Sequence, residues 1–265
     1  MTSLSSPSPF IQAFADGHTG WLVLNRPERR NALNGEMWAA IPPVIKTLEE
    51  SPGVRVIVMR GAGAEAFAAG ADISEFGETR NDAEAAACYE QLNGQAFAAV
   101  RDCAKPVIAM IHGFCIGGGL ALALAADLRI AHGAALFALP PARLGLAYPL
   151  DGLRDLVATV GAAAAKDMIF PARRLPAEEA LRLGLVNRVA ADLEAGTAAL
   201  AAEIASGAPL TIAHAKRAID LIAVRPGHAG EADVAALAAR CFNSADYAEG
   251  RAAFAAKRKP AFRGT

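Results

Sequence analysis

The chain has 265 residues, 54% of them hydrophobic and only 6% aromatic, which is enough for one sizeable core or one domain with an appended helical unit. A net charge of −1 gives no broad field for nucleic acid or an anionic membrane, so any anionic ligand has to be met locally. Cys88, Cys103, Cys115 and Cys241 show no CxxC spacing and no paired histidines; this argues against a metal site and for reduced, mostly buried structural thiols in a cytoplasmic protein.

Residues 1–9 are rich in Ser and Pro and lack a basic n-region, so a short disordered lead is expected there rather than a signal peptide. Strands are predicted over Trp21 to Asn25, Val54 to Arg60, Val107 to Ile111, Leu128 to Ala131 and Ala135 to Phe137. Helical patterns fall between them, over Gly35 to Glu50, Asp82 to Asp102 and Gly119 to Ala126, and the alternation implies a largely parallel α/β arrangement. The longest apolar run, Phe114 to Ala126, is interrupted by glycine and too short to cross a bilayer. Beyond about Asp151 strand signals nearly vanish. Helices are predicted over Gly152 to Val160, Ala177 to Leu183, Leu193 to Ser206, Pro209 to Ala223, Gly230 to Phe242 and Ala245 to Arg258. The expected organisation is a core over residues 10–200 and a helical region over 201–265.

Gly117, Gly118 and Gly119 stand between the Val107 to Ile111 strand pattern and an alanine-rich helical segment. Glycines at such a turn leave peptide N–H groups uncovered at the positive end of a helix dipole, where a negative oxygen can settle. Alone, the signal suits a packing device or a phosphate cradle equally well. A second small-residue turn, Ala66-Phe67-Ala68-Ala69-Gly70-Ala71-Asp72-Ile73, follows the Val54 to Arg60 strand pattern, so the two turns offer one N–H each.

These blocks, together with Asn25-Arg26-Pro27-Glu28-Arg29-Arg30-Asn31-Ala32-Leu33-Asn34, Ala180-Leu181-Arg182-Leu183-Gly184-Leu185-Val186-Asn187 and Phe254-Ala255-Ala256-Lys257-Arg258-Lys259-Pro260, resemble the crotonase (enoyl-CoA hydratase/isomerase) superfamily across nearly the whole chain. The resemblance implies a spiral of ββα units followed by C-terminal helices that assemble a homotrimer or homohexamer. It implies an acyl-CoA thioester as substrate, with coenzyme A part of that substrate and no separate cofactor. The amides of Ala69 and Gly118 would form the oxyanion hole. Arg29, Arg30, Ala32, Ala71, Asp72, Ile73, Gly117 and Pro140 would line the coenzyme A and acyl site, and Lys257 would reach the same ligand from a neighbouring subunit. From the residues alone, Arg29 and Arg30 also read as a solvated basic loop, Lys257 as a complement to a helix dipole, and Asp72 as mainly structural.

Hydratases of that family carry one glutamate three residues beyond the oxyanion glycine and a second in a Pro-Glu pair after the next strand. Here those positions are Ala121 and Pro141, and neither side chain can transfer a proton. Isomerase- or decarboxylase-type chemistry is therefore expected ahead of hydration, with a non-catalytic thioester-binding homologue as the alternative. Two side chains nearby can handle protons. Asp151 is either a proton shuttle or a helix N-cap, and Tyr148, in a Tyr-x-Leu-x-Gly pattern like that of the family's methylmalonyl-CoA decarboxylase branch, is either catalytic or a buried residue bonded to a carbonyl. His112 is expected to be a hydrogen-bonded core residue, and His18, His132, His214 and His228 have no metal spacing.

Overall fold

Gly17, at φ +58°, turns β2 (Ile11–Asp16) into β3 (Thr19–Leu24), and the two pair antiparallel from Ile11 opposite Leu24 to Asp16 opposite Thr19. The structure is a computed structural model that describes residues 1–75, 83–145, 147–223 and 230–265; Asp82, the predicted start of one helix, and His228 lie outside the described residues. β1 (Thr2–Leu4) adds antiparallel to β2. Residues 2–4 are thus a strand where composition predicted a disordered lead, because main-chain pairing needs no apolar side chain to drive it.

Beyond β3 the sheet continues in parallel. β4 (Val56–Gly61), β6 (Val107–Ile111), β8 (Leu128–His132) and β11 (Arg188–Ala190) complete the order β1-β2-β3-β4-β6-β8-β11. The almost unbroken apolar runs of β4 and β6 fit strands covered on both faces. After each of β4, β6 and β8 the chain turns into a short strand of a second sheet: β5 (Ala66–Ala68), β7 (Phe114–Ile116) and β9 (Leu136–Ala138). β10 (Leu175–Pro176) pairs antiparallel with β9, giving the order β10-β9-β7-β5.

Helices follow the second-sheet strands: α2 (Ala83–Asp102) after β5, α3 (Gly118–Leu124) after β7, and α4 (Pro141–Leu144) with α5 (Leu150–Ile169) after β9. The repeating unit is strand, strand, helix, and successive units wind into a spiral. β10 and β11 correct the expectation that strands end near Asp151. The predicted end at Val160 coincides with a break in α5: Gly161, at φ 78° and ψ 162°, leaves helical geometry, and a further helical stretch follows it to Ile169.

α1 (Gly35–Glu50) starts where the Asn34 side chain accepts the Met37 amide at 2.9 Å, and it buries Trp38, Ile41 and Ile45 against the sheets. The Trp38 indole donates to the Tyr89 hydroxyl at 2.9 Å, tying α1 to α2. On the far face of the large sheet, Val56, Val58, Ile108 and Ile130 pack against Leu193, Leu200 and Ala205 of α7 (Leu193–Ala205), reached after the short α6 (Ala177–Arg182). The expected boundary at residue 200 therefore falls inside a helix of the core. α8 (Pro209–Ala223), α9 (Glu231–Phe242) and α10 (Ala245–Ala255) form the C-terminal helical region and leave Ile219, Ile222 and Phe242 exposed. Among the described residues no helix is long and apolar enough to cross a membrane. The four cysteines are free thiols; Cys103 and Cys115 are buried, but Cys88 is exposed and Cys241 half-buried, so burial is less general than expected.

Close approach of the two sheet-end turns depends on Gly119. A Cβ there would lie 2.6 Å from the Ala68 Cβ and 2.7 Å from the Ala68 carbonyl oxygen. In an ordinary helix interior Gly→Ala gains roughly 1 kcal/mol. Here overpacking reverses the sign: Gly119→Ala should lose about 1–3 kcal/mol in urea unfolding. A neutral or stabilised variant would contradict this packing.

Candidate active site

The parallel strands β5, β7 and β9 end on the same side of the small sheet, and a cleft of about 320 Å³ opens there. Strand ends of this kind present uncovered main-chain groups and the starts of helices, which suits ligand binding. Ala69, Ala71, Ile73, Gly117, Gly118, Pro140 and Tyr148 all line the cleft, so most of the predicted site residues are brought together.

The first turn is held by the loop over residues 26–33. The Ala69 amide donates to the Arg30 carbonyl at 2.9 Å, the Leu33 amide to the Gly70 carbonyl at 2.8 Å, and the Asp72 amide to the Leu33 carbonyl at 2.8 Å. This corrects the assignment of Ala69 as an oxyanion donor, because its N–H is already occupied by the protein. In the parallel bridge between Leu33 and Ala71, the Ala71 amide points away from the loop, and it has no acceptor among the described residues.

Three side chains fix that lacing. Asn31, fully buried at φ 55°, accepts the Arg26 amide at 3.0 Å and donates to the Ala62 carbonyl at 3.0 Å and the Ala66 carbonyl at 2.8 Å. The Arg26 guanidinium donates to the Ala32 carbonyl at 2.8 Å and to Asp72 at 2.9 Å. Asp72 also accepts the Ser74 hydroxyl at 2.7 Å and the Ser74 amide at 3.1 Å. The Ser74 hydroxyl bond, helped by Arg26 and opposed by burial, holds the Asp72 carboxyl below its ordinary value. Asp72 is structural, as expected.

The second turn supplies the other amide. Gly117, at φ 52°, donates to the Ala138 carbonyl at 2.9 Å, whereas the Gly118 amide opens α3 and has no acceptor among the described residues. A Cβ on Gly118 would sit 3.6 Å from the Ala71 nitrogen, so the two free amides share one corner of the cleft. The Gly117 carbonyl belongs to the same peptide unit as the Gly118 N–H. It accepts the Ala121 amide at 3.0 Å and the Tyr148 hydroxyl at 3.1 Å, two bonds that set the plane of that peptide. Burial pushes the Tyr148 phenol far above its ordinary value, so it stays protonated.

Apolar walls come from Ile73, Phe97, Phe114, Ile116 and Pro141, and no carboxylate is among the described lining residues. Asp151 departs from both of its expected roles. It sits in the first turn of α5 with its side chain 45% exposed, pairs with Arg154, and does not line the cleft; the cap position is Pro149. Arg29, Arg30, Ala32, Asp72 and Lys257 are also absent from the described lining. Arg30 pairs with Glu65 at 3.0 Å and stacks 5.4 Å over the Phe114 ring that forms one wall. His112 is only half-buried, and its buried Nε2 has no partner among the described residues, contrary to the expectation of a hydrogen-bonded core histidine. Ala121 is buried within α3.

Asn93, Arg143 and Arg174 also line the cleft, and the sequence reading missed all three. Asn93 stands between Tyr89 and Phe97 at helical spacing, a polar residue within an apolar stripe, which is a readable signal in retrospect.

Comparison with known proteins agrees over nearly the whole chain. Residues 20–265 match the family model described as enoyl-CoA hydratase/isomerase. The short-chain-enoyl-CoA hydratase of Clostridium acetobutylicum is 35% identical over 246 residues, covering 92% of this chain and 94% of that protein. A solved enoyl-CoA hydratase/carnithine racemase from Magnetospirillum magneticum superimposes with a TM-score of 0.92 at 38% identity, covering 98% of this chain and 97% of that one. A putative enoyl-CoA hydratase/isomerase family protein from Hyphomonas neptunium gives 0.90 at 40% identity, covering 96% and 97%.

The Asp72 cluster has a pH signature. Because its carboxyl is depressed in the folded state, its contribution is complete above the ordinary value of 3.8 and is lost as pH falls through the lower folded value. Asp72→Ala should cost about 1–3 kcal/mol at pH 7. In urea unfolding the gap to the parent should narrow toward pH 3. A gap independent of pH would contradict the charged pairing.

Proposed function

Because the chain belongs to the enoyl-CoA hydratase/isomerase family of acyl-CoA enzymes, we propose that the cleft binds an acyl-CoA thioester and stabilises its enolate with the Ala71 and Gly118 amides. The observation that carries this reading is the pair of N–H groups without acceptors among the described residues, meeting in one corner of an apolar cleft. Preorganised donors aimed at a developing oxyanion are each worth roughly 10²–10³ in rate.

Although the Clostridium relative is named as a hydratase, the positions where the family resemblance places the two hydratase glutamates hold Ala121 and Pro141 in this chain. Hydration needs one group to activate water and another to manage the α-proton. Isomerisation needs a shuttle between two carbons, and Asp151 stands outside the cleft in an ion pair. Decarboxylation needs no base at its first step. In an alkylmalonyl-type thioester the bond from Cα to the carboxylate breaks, its electron pair moves into the thioester as an enolate, and CO₂ leaves; Cα then takes a proton from water. The apolar walls favour the step by leaving the departing carboxylate poorly solvated.

Tyr148 acts here as a positioning residue. Its hydroxyl donates to the Gly117 carbonyl, which orients and polarises the peptide whose N–H meets the oxyanion. The lack of a carboxylate among the described lining residues also suits a non-catalytic thioester-binding module, and turnover separates the two readings. A homotrimer or homohexamer is proposed as well, since Ile219, Ile222 and Phe242 form apolar surface that a second copy would cover.

Two substitutions test the chemistry. Proline is tolerated at the first position of a helix, so Gly118→Pro should leave the circular dichroism spectrum intact while removing one donor. Gly118→Ala, which adds the same Cβ 3.1 Å from Trp38 but keeps the N–H, is its control. Alkylmalonyl-CoA decarboxylation should fall by roughly 10²–10³ in kcat in the proline variant relative to the alanine one. Tyr148→Phe should lower kcat by about five- to tenfold, the worth of one hydrogen bond of about 1 kcal/mol, with KM nearly unchanged. Binding of these thioesters by the parent protein without turnover would favour the module.

A further inference from the structure

Three polar side chains of the cleft have no part in enolate stabilisation. Asn93, on α2, is 4% exposed, and its side-chain Oδ1, an acceptor, is buried with no hydrogen-bonding partner among the described residues. Leaving such a group unmatched costs on the order of 1–3 kcal/mol, so a polar atom of the ligand is a better neighbour for it than an alkyl chain. Arg143, on α4, and Arg174, immediately before β10, have exposed side chains and therefore sit at the rim. Neither has a carboxylate partner among the described residues. The adjacent Arg173 shows the contrast, being held by Asp167 at 2.6 Å and Glu179 at 2.7 Å.

Topology places these groups relative to the two amides. Leu175 pairs with Phe137, so Arg174 lies beside Ala138 at the end of β9, and Arg143 follows that same strand end. Gly118 follows β7, the next strand in the order β10-β9-β7-β5. Two strand spacings, about 10 Å, separate Gly118 from β10. An acyl chain of moderate length spans that distance from a carbonyl held at Gly118. Guanidinium groups carry only donors, and their planar fork matches a carboxylate.

We propose that the cleft takes thioesters whose acyl chain ends in a second, non-reacting carboxylate, gripped by Arg143 and Arg174 at the rim, with the Asn93 Oδ1 accepting from an N–H or O–H of the ligand elsewhere along its length. The proposal rests on the reading of the cleft as an acyl-thioester site and on no particular reaction there. It also gives the otherwise apolar channel a direction, with the thioester at the two amides and the anionic end at the arginines.

Calorimetric titration of the full chain with hexanoyl-CoA and adipoyl-CoA, which differ only in a terminal carboxylate, tests it. Adipoyl-CoA should bind roughly tenfold more tightly, the worth of charge-assisted hydrogen bonds at a partly solvated rim. In the Arg143→Gln/Arg174→Gln double variant the ratio of the two affinities should collapse to about one. Asn93→Leu, which keeps the side chain's size but removes an acceptor that a carboxylate cannot use, should weaken both thioesters and leave their ratio unchanged. Equal affinities in the parent protein would overturn the proposal. So would a preference that survives the double variant, as happens if the arginines meet the coenzyme phosphates and weaken both ligands alike. Hexanoyl-CoA bound without any preference removes only the carboxylate grip, whereas failure of both thioesters to bind removes the thioester site beneath it.

Discussion

The direction of one peptide decides what this cleft can do. The loop over residues 26–33 binds the turn after β5 through the amides of Ala69, Leu33 and Asp72, and that lacing leaves the Ala71 N–H facing the cavity. Asn31, Arg26 and Asp72 hold the two segments together from within. Their task is geometric. On the proposed reading they keep a donor aimed where charge would develop, so that no reorganisation would be needed at the moment of reaction.

The second donor depends on a different kind of constraint. Gly118 lacks a side chain where a Cβ would press to 3.1 Å from Trp38, and Gly119 lacks one where α3 crosses Ala68. Glycine here permits backbone-to-backbone approach between neighbouring units of the spiral, and the Tyr148 and Ala121 bonds to the Gly117 carbonyl then set the remaining peptide. Packing of the ββα units, close approach of their turns and the pairing of two amides are thus successive consequences of the same small residues. The arginines at the rim and the buried Asn93 lie beyond that corner, so on the proposed reading the part of the cleft that would hold a carbonyl is separate from the part that would select an acyl group.

Much of the fold was legible in the sequence because long apolar strands and amphipathic helices carry strong periodicity. α1 and β6 fall at their predicted bounds, and the glycine turn opens α3 as expected. β5 and β7 escaped notice because their few residues run straight into the small-residue and glycine turns that follow, and the six-residue β2, with Gln12 and Ala13 among its residues, also went unpredicted. The choice between Ala69 and Ala71 was not legible for a deeper reason: both are alanines in the same turn, and which amide is free depends on hydrogen bonds to a loop far away in sequence. Asp151 illustrates the opposite error. Its position near the site in sequence suggested chemistry, yet the first turn of α5 presents it to Arg154. Arg143 and Arg174 could not be linked before β10 was seen beside β9.

A crystal structure of the chain with a non-reacting acyl-CoA tests the central claim most directly. The thioester oxygen should lie about 2.7–3.1 Å from the nitrogens of both Ala71 and Gly118, with Ala69 still donating to Arg30. An oxygen bound elsewhere in the cleft, or either of those two amides turned to a protein carbonyl, would contradict it.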